Sequence, residues 1–207
     1  LSFYASSKKT VEIMSHSYSY NYNIPITIFR FFTVYGPWGR PDMALFKFTK
    51  SILNGEEIKI FNFGKMTRDF TYIKDLVLAI FFLKDVKPDL PNKRNSLIKN
   101  DSISSDAPMR IINIGNSRPL NLMDYINTLE KILKIESKKQ FVDIQNGEVV
   151  STWADIKLLK NLIGFIPKTS IEKGIKEFVN WYYDYYKCWV NKWYTKKKYM
   201  LLDTQVW

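Results

Sequence analysis

Apolar positions along the chain switch between two periods. After Ser2, a candidate N-cap, Val11, Met14 and Tyr18 recur at helical spacing, and the pattern runs to about Tyr22 before Pro25 ends it. Ile26 to Phe32 is a β-branched and aromatic run and reads as a buried strand. It leads into Thr33-Val34-Tyr35-Gly36-Pro37-Trp38-Gly39-Arg40-Pro41-Asp42, whose Gly and Pro residues predict a loop at the carboxyl end of that strand. A helix beginning at Pro41 or Asp42 carries Leu45, Phe46, Thr49 and Ile52 and stops at Gly55. Strands are predicted at Ile58–Phe61, Arg68–Ile73, Arg110–Gly115 and Gln140–Ile144. Helices are predicted from Lys74 to about Lys84, over Leu122–Leu133 with Asn121 as cap, over Asp155–Leu162, and from Ser170 to about Tyr186. Residues 85–108 lose all period and read as a long surface loop or a flexible insertion. Cys188 to Trp207 is aromatic and lysine-rich without a clear period, so it either extends the last helix or docks elsewhere. Strands alternate with helices, which predicts an α/β fold with a mainly parallel sheet.

Composition narrows the function classes. The 207 residues are 46% hydrophobic, enough for a sizeable core, and carry 31 basic against 20 acidic residues, a net charge of +11. The positive charges are scattered, with Lys196-Lys197-Lys198 the one tight run, so the excess argues against nucleic acid and leaves a few cations for a small anionic ligand. A single cysteine, Cys188, excludes an internal disulfide and fits a reducing, cytoplasmic setting. No His, Cys and carboxylate cluster has metal-binding spacing, and no apolar run reaches the 18 residues of a membrane span. The chain opens directly before a helix, without methionine or leader, and is read as a fragment of a longer protein.

Tyr4 and Lys8 stand four apart near the start, on one face of the first predicted helix. A phenol, with a pKa near 10, is a poor base at neutral pH. An ammonium about 5 Å away favours its ionised form by roughly 3 kcal/mol at an effective dielectric of about 20. Such a pair is a candidate general base, and equally an amphipathic Tyr beside a solvated Lys.

The order and distance of several blocks decide between those readings. Tyr4-Ala5-Ser6-Ser7-Lys8-Lys9, Phe29 to Ala44, Thr67-Arg68-Asp69-Phe70-Thr71-Tyr72-Ile73, Asn113-Ile114-Gly115-Asn116, Thr152-Trp153-Ala154-Asp155 and Gly164 to Thr169 together resemble the extended short-chain dehydrogenase/reductases. This is the NAD-dependent epimerase/dehydratase family, and the resemblance is closest to the UDP-glucuronate 4-epimerases. It extends from the first residue to about Tyr186, as the carboxyl-terminal part of such an enzyme.

The resemblance implies a Rossmann-type doubly wound sheet with a small α/β substrate-binding domain, and NAD as cofactor. It assigns 1–35 to the end of the dinucleotide-binding domain, 36–109 mainly to the substrate region, 110–135 to a return into the nucleotide-binding sheet, 136–187 to the rest of the substrate domain and 188–207 to a tail. By resemblance Tyr4 is the base at the sugar 4-hydroxyl, and Lys8 assists it and holds the nicotinamide ribose. Thr33, Val34 and Tyr35 meet the nicotinamide and sugar. Arg40, with the Thr33 hydroxyl, grips the glucuronate carboxylate. Arg68 takes the UDP diphosphate, its alternative being an ion pair with Asp69. Tyr72 and Gln145 are nucleotide-pocket candidates, and Trp38 is packing. The expected reaction is conversion of UDP-glucuronate to UDP-galacturonate for surface polysaccharide. Its rivals are a UDP-N-acetylglucosamine (or its uronate) 4-epimerase and an inactive truncated remnant. The family's glycine-rich dinucleotide turn and the Ser/Thr that completes its catalytic triad are absent from these residues, so the chain alone is expected to bind NAD poorly. A homodimer is expected by analogy only.

Overall fold

The computed structural model describes residues 2–90, 98–145 and 147–186. Helix α1 (Phe3–Tyr22) starts where the Ser2 hydroxyl accepts the Ala5 amide at 3.1 Å and ends on Asn23 in a left-handed conformation. Strand β1 (Ile26–Phe31) lies parallel to β5 (Met109–Ile114), with Ile26 opposite Met109 and Phe31 opposite Ile114. The chain then breaks at Phe32 and enters a second sheet. There β2 (Thr33–Tyr35) runs parallel to β4 (Thr67–Tyr72), and β4 runs antiparallel to β6 (Pro119–Asn121). A third pair joins β3 (Glu57–Phe61) and β7 (Lys138–Val142) in parallel. Helices α2 (Ala44–Asn54), α3 (Ile73–Leu83), α4 (Leu122–Leu133), α5 (Lys157–Ile163) and α6 (Ile171–Tyr185) pack around these strands.

Most predicted elements are present within a few residues, and the differences have local causes. Thr33–Tyr35 is a strand and not the start of the loop, because its three residues pair with Phe70, Thr71 and Tyr72. Helix α2 begins at Ala44 with Met43 at its cap, so neither Pro41 nor Asp42 opens it. The short strand β6 has no period of its own and carries a proline, which hides it from pattern reading. Within the predicted loop, 85–90 and 98–108 hold no helix or strand. Residues 91–97 and the tail with Cys188 lie outside the described residues.

Two cores support the sheets. The larger gathers Tyr35, Phe46, Phe70, Tyr125, Phe178 and Tyr182 between α2, α4 and α6. Phe70 and Tyr125 stack with ring centres 4.2 Å apart, while Phe46 meets Phe178 and Tyr182 edge-on. Gly174 leaves room for the Tyr35 ring, whose Cζ would lie 2.6 Å from any Cβ placed there. The smaller core packs α3 and α5 on β5 through Leu76, Ala79, Leu83, Ile112, Ile114 and Leu159.

Helix α1 is attached differently. Ser19 is its one buried residue, and Val11, Met14 and Tyr18 are exposed. The apolar stripe expected from their spacing lines an open groove of about 360 Å³ with Ile24 and Ile26. Polar tethers hold the helix to the body. Arg30 of β1 donates to Glu12 through Nε at 2.6 Å and a terminal nitrogen at 2.7 Å, and Lys9 adds a third bond at 2.7 Å. His16 and Ser104 share a 2.8 Å hydrogen bond, and the Ser19 hydroxyl donates to the Ile24 carbonyl. The Arg30 hydrogen bonds lower Glu12 to about 2, with Lys9 helping and burial opposing.

Candidate active site

The site lies where β2 ends. Gly36 follows with φ +134°, and a side chain there would meet Ile73 Cγ2 at 2.6 Å, so only glycine allows the chain to leave the strand this way. The loop closes through Gly39 N to Gly36 O and Met43 N to Arg40 O, both 3.1 Å. These turns fix the backbone on either side of Arg40 while its side chain stays open to solvent. A cavity of about 40 Å³ sits here, walled by Thr33, Val34, Gly36, Arg40 and Met43 and floored by Phe70, Tyr125 and Phe178.

Arg40 holds Asp42 in a two-pronged grip, with Nε donating to Oδ1 at 3.0 Å and a terminal nitrogen donating to Oδ2. Both side chains are exposed, 74% and 57%. The Asp42 hydrogen bonds and charge raise Arg40, and the Tyr4 phenol acts in the same direction. One turn along α1, the Lys8 ammonium lies 5.2 Å from the centre of the Tyr4 ring. Tyr4 is 71% exposed, so water screens that pair until something covers it.

The remaining candidates divide between open surface and core. Tyr35 lines the cavity, but its ring is buried and its hydroxyl reaches the Ser170 carbonyl at 3.4 Å. Burial pushes its phenol up, with the Asp75 charge adding to the effect. Tyr72 is also buried and raised first by burial, with the Lys74 charge opposing. Its hydroxyl has no hydrogen bond of good geometry, so Lys74 acts on it mainly through charge. Neither ring faces the open side of the site.

Arg68 lies away from the cavity. It donates to Glu148 at 3.1 Å and to the Thr67 and Val150 carbonyls. The alternative ion pair between Arg68 and Asp69 is not formed, because Asp69 is fully buried and faces other partners. It accepts the amides of Asn116 at 3.0 Å, Ser117 at 2.9 Å and Ala154 at 2.9 Å, and so ties two loops to β4 beside Arg68. Asp75 plays the same part for Lys168 and Thr169. Gln145 is exposed, and Trp38 packs edge-on against Tyr185 and tilted against Trp181. Among the described residues, no cluster of His, Cys, Asp and Glu could hold a metal, and no helix is long and apolar enough to cross a membrane.

A family profile described as the NAD dependent epimerase/dehydratase family matches residues 1–94, which include α1 and the whole cavity loop. Over those residues the chain is similar to that family. Protein CapI of Staphylococcus aureus is 50% identical over 187 residues, covering 90% of this chain and 56% of that protein. A probable UDP-glucuronate 4-epimerase of Rhizobium meliloti is 46% identical, again over 90% of this chain and 55% of its own length. A crystal structure of the UDP-glucuronic acid 4-epimerase of Bacillus cereus, with UDP-glucuronic acid and NAD, is similar with a TM-score of 0.74 and 32% identity. It matches 88% of this chain and 53% of that one. The chain thus spans about half the length of the curated relatives it matches.

Sequence reasoning missed the parts played by three carboxylates: Glu12, Asp42 and Asp69. Glu12 could have been found, since it lies one turn beyond Lys8 with Arg30 on the next strand. Asp42 suits a helix start by residue type, but α2 is capped at Met43 and the Asp42 carboxylate accepts from Arg40. Asp69 gives no sequence signal, because its partners are backbone amides.

Proposed function

We propose that the protein catalyses 4-epimerisation of a UDP-sugar with NAD as cofactor, and that its substrate is UDP-glucuronate, converted to UDP-galacturonate for surface polysaccharide. What supports this reading most is the cavity lined by Thr33 and Arg40 at the end of β2, together with the Tyr4 and Lys8 side chains paired on one turn of α1.

The residues present fit the nicotinamide end of the cofactor. Among the described residues, Tyr4 and Lys8 stand exposed together on one turn of α1. No glycine-rich phosphate turn occurs in these 207 residues, so these residues hold that end alone. NAD, when bound, takes a hydride from the sugar C4 and returns it to the other face. Tyr4 takes the proton from the 4-hydroxyl and later gives it back, and Lys8 holds the phenol in its basic form while bonding the ribose. The 4-keto sugar turns over between the two transfers.

A 4-keto glucuronate is a β-keto acid and loses carbon dioxide readily. The Arg40 fork and the Thr33 hydroxyl hold its carboxylate out of the alignment that this loss requires. Arg68 binds the diphosphate by exchanging Glu148 for it. In domain terms, β1, β2 and β5 belong to the dinucleotide-binding unit, and β3 and β7 carry the substrate side.

The test is an assay of the protein expressed from its whole reading frame, with UDP-glucuronate and UDP-N-acetylglucosamine compared under the same conditions. UDP-galacturonate is the expected product. Turnover of the N-acetyl sugar alone, or no turnover of either, would overturn the assignment. Arg40→Ala is expected to raise decarboxylated pentose relative to epimer, and an unchanged product ratio would remove Arg40 from the carboxylate role.

A further inference from the structure

We propose that Asp42 is a specificity-determining residue: its carboxylate occupies the Arg40 fork in the unliganded protein, and a uronate substrate binds by displacing it. The proposal rests on the reading of Arg40 given above.

Three observations carry it. First, Asp42 meets Arg40 with both oxygens, Oδ1 at 3.0 Å from Nε and Oδ2 on a terminal nitrogen. This is the arrangement in which a guanidinium binds any carboxylate, including that of a sugar acid. Asp42 takes the edge formed by Nε and one terminal nitrogen, so a uronate that uses the same edge displaces it. Second, Asp42 has no structural duty that would keep it there. Helix α2 is capped at Met43 with no side-chain bond, and the local turn is closed by backbone bonds from Arg40 O to Met43 N and from Gly36 O to Gly39 N. Third, the pair is open to water, with side chains 74% and 57% exposed, and exposed pairs are held weakly. Displacement is therefore easy.

The charges near Asp42 give the exchange its sign. Arg40 acts on it first and Lys47 adds a second positive charge. A displaced Asp42 stays beside Arg40 as a free anion next to the incoming carboxylate, and the two repel. A neutral hexose does not need the fork and is spared that repulsion. Asp42 thus weakens uronate binding selectively, while it keeps Arg40 occupied against other small anions. Asp42 does not touch the reacting atoms, so it tunes which sugar enters and not how the sugar reacts.

The experiment compares dissociation constants of UDP-glucuronate and UDP-glucose for the whole-reading-frame protein, its Asp42→Asn variant, its Arg40→Ala variant and the double variant. UDP-glucose carries the same diphosphate and so reports any general change of charge. Asp42→Asn is expected to bind UDP-glucuronate roughly two- to fivefold more tightly, the range an exposed ion pair commands. Binding of UDP-glucose is expected to stay unchanged. Arg40→Ala is expected to weaken the uronate selectively, and adding Asp42→Asn to it is expected to recover only part of that loss, because the repulsion goes while the fork stays absent. Asp42→Ser serves if the Asn variant does not fold. Unchanged or weaker uronate binding in Asp42→Asn, or an equal gain for both ligands, overturns the proposal while leaving Arg40 in its role. An Arg40→Ala variant with unaltered uronate binding overturns both.

Discussion

Helix α1 and the helical layer of α2, α4 and α6 are built on opposite terms. The layer is fixed by rings: Phe46, Tyr125, Phe178 and Tyr182 are buried, and each touches at least one other ring. Helix α1 buries only Ser19 and is held by a carboxylate, an imidazole and a hydroxyl. The proposed base sits on the loosely held element, and the cavity floor is supplied by the rigid one. The comparison teaches that the distance between Tyr4 and Arg40 is set by directional polar contacts and not by core packing. Ionic tethers to one strand, β1, decide where the phenol stands.

The contrast is broken most severely from the rigid side. Phe178 is 1% exposed and borders the cavity floor, so Phe178→Ala is expected to lower unfolding free energy by about 4 kcal/mol. Urea unfolding would register this as a lower midpoint at constant slope. A loss below about 1 kcal/mol would mean that the aromatic layer is not the stable half.

Asp69→Ala comes next, at about 3 kcal/mol, because it strands the amides of Asn116, Ser117 and Ala154 in a buried position. Faster amide exchange confined to those three residues is the accompanying sign, and unchanged exchange rates would contradict it.

Glu12→Gln sharpens the comparison from the loose side. It is expected to cost about 1.5 kcal/mol by weakening the bonds to Arg30 and Lys9. Because Glu12 in the folded protein lies near 2, below its usual 4.5, its contribution is complete above about 4.5 and fades as pH falls toward 2. The variant should therefore lose less stability than the parent over that acid interval. Parallel pH profiles for the two would rule out Glu12 as the tether.

The smallest effect is Met14→Ala on the open stripe of α1, expected within about 0.5 kcal/mol of the parent in the chain described. A loss near 2 kcal/mol would show that the stripe is covered in solution.

Element type was legible in the sequence wherever period and punctuation agreed. Asn121 before Leu122–Leu133 and Ser170 before Ile171–Tyr185 cap their helices through Met123 and Lys173 amides, as their residue types predict. What stayed hidden depended on contacts distant in sequence. Thr33–Tyr35 becomes a strand only because β4 lies beside it, and β6 exists only as an edge to β4. The apolar spacing of α1 gave a helix correctly but says nothing about what its stripe faces. In the site, motif blocks singled out Thr33 and Arg40, which line one cavity, and Tyr4 and Lys8, which pair on one turn of α1. They left open that the Tyr35 and Tyr72 rings turn into the core, since a run of aromatic residues has no polar side to orient it. The carboxylate partners of Arg40 and Arg68 were equally out of view, because an exposed pair two residues apart, or eighty, leaves no periodic trace.

The account depends above all on Tyr4 acting as the proton acceptor at the sugar 4-hydroxyl. Its most direct test is the rate of UDP-galacturonate formation from UDP-glucuronate by Tyr4→Phe in the whole-reading-frame protein, measured with the KM of the same variant. Removing one hydroxyl is predicted to lower kcat by about 100-fold or more while KM stays close to that of the parent. A Tyr4→Phe enzyme with the parent's kcat would contradict it.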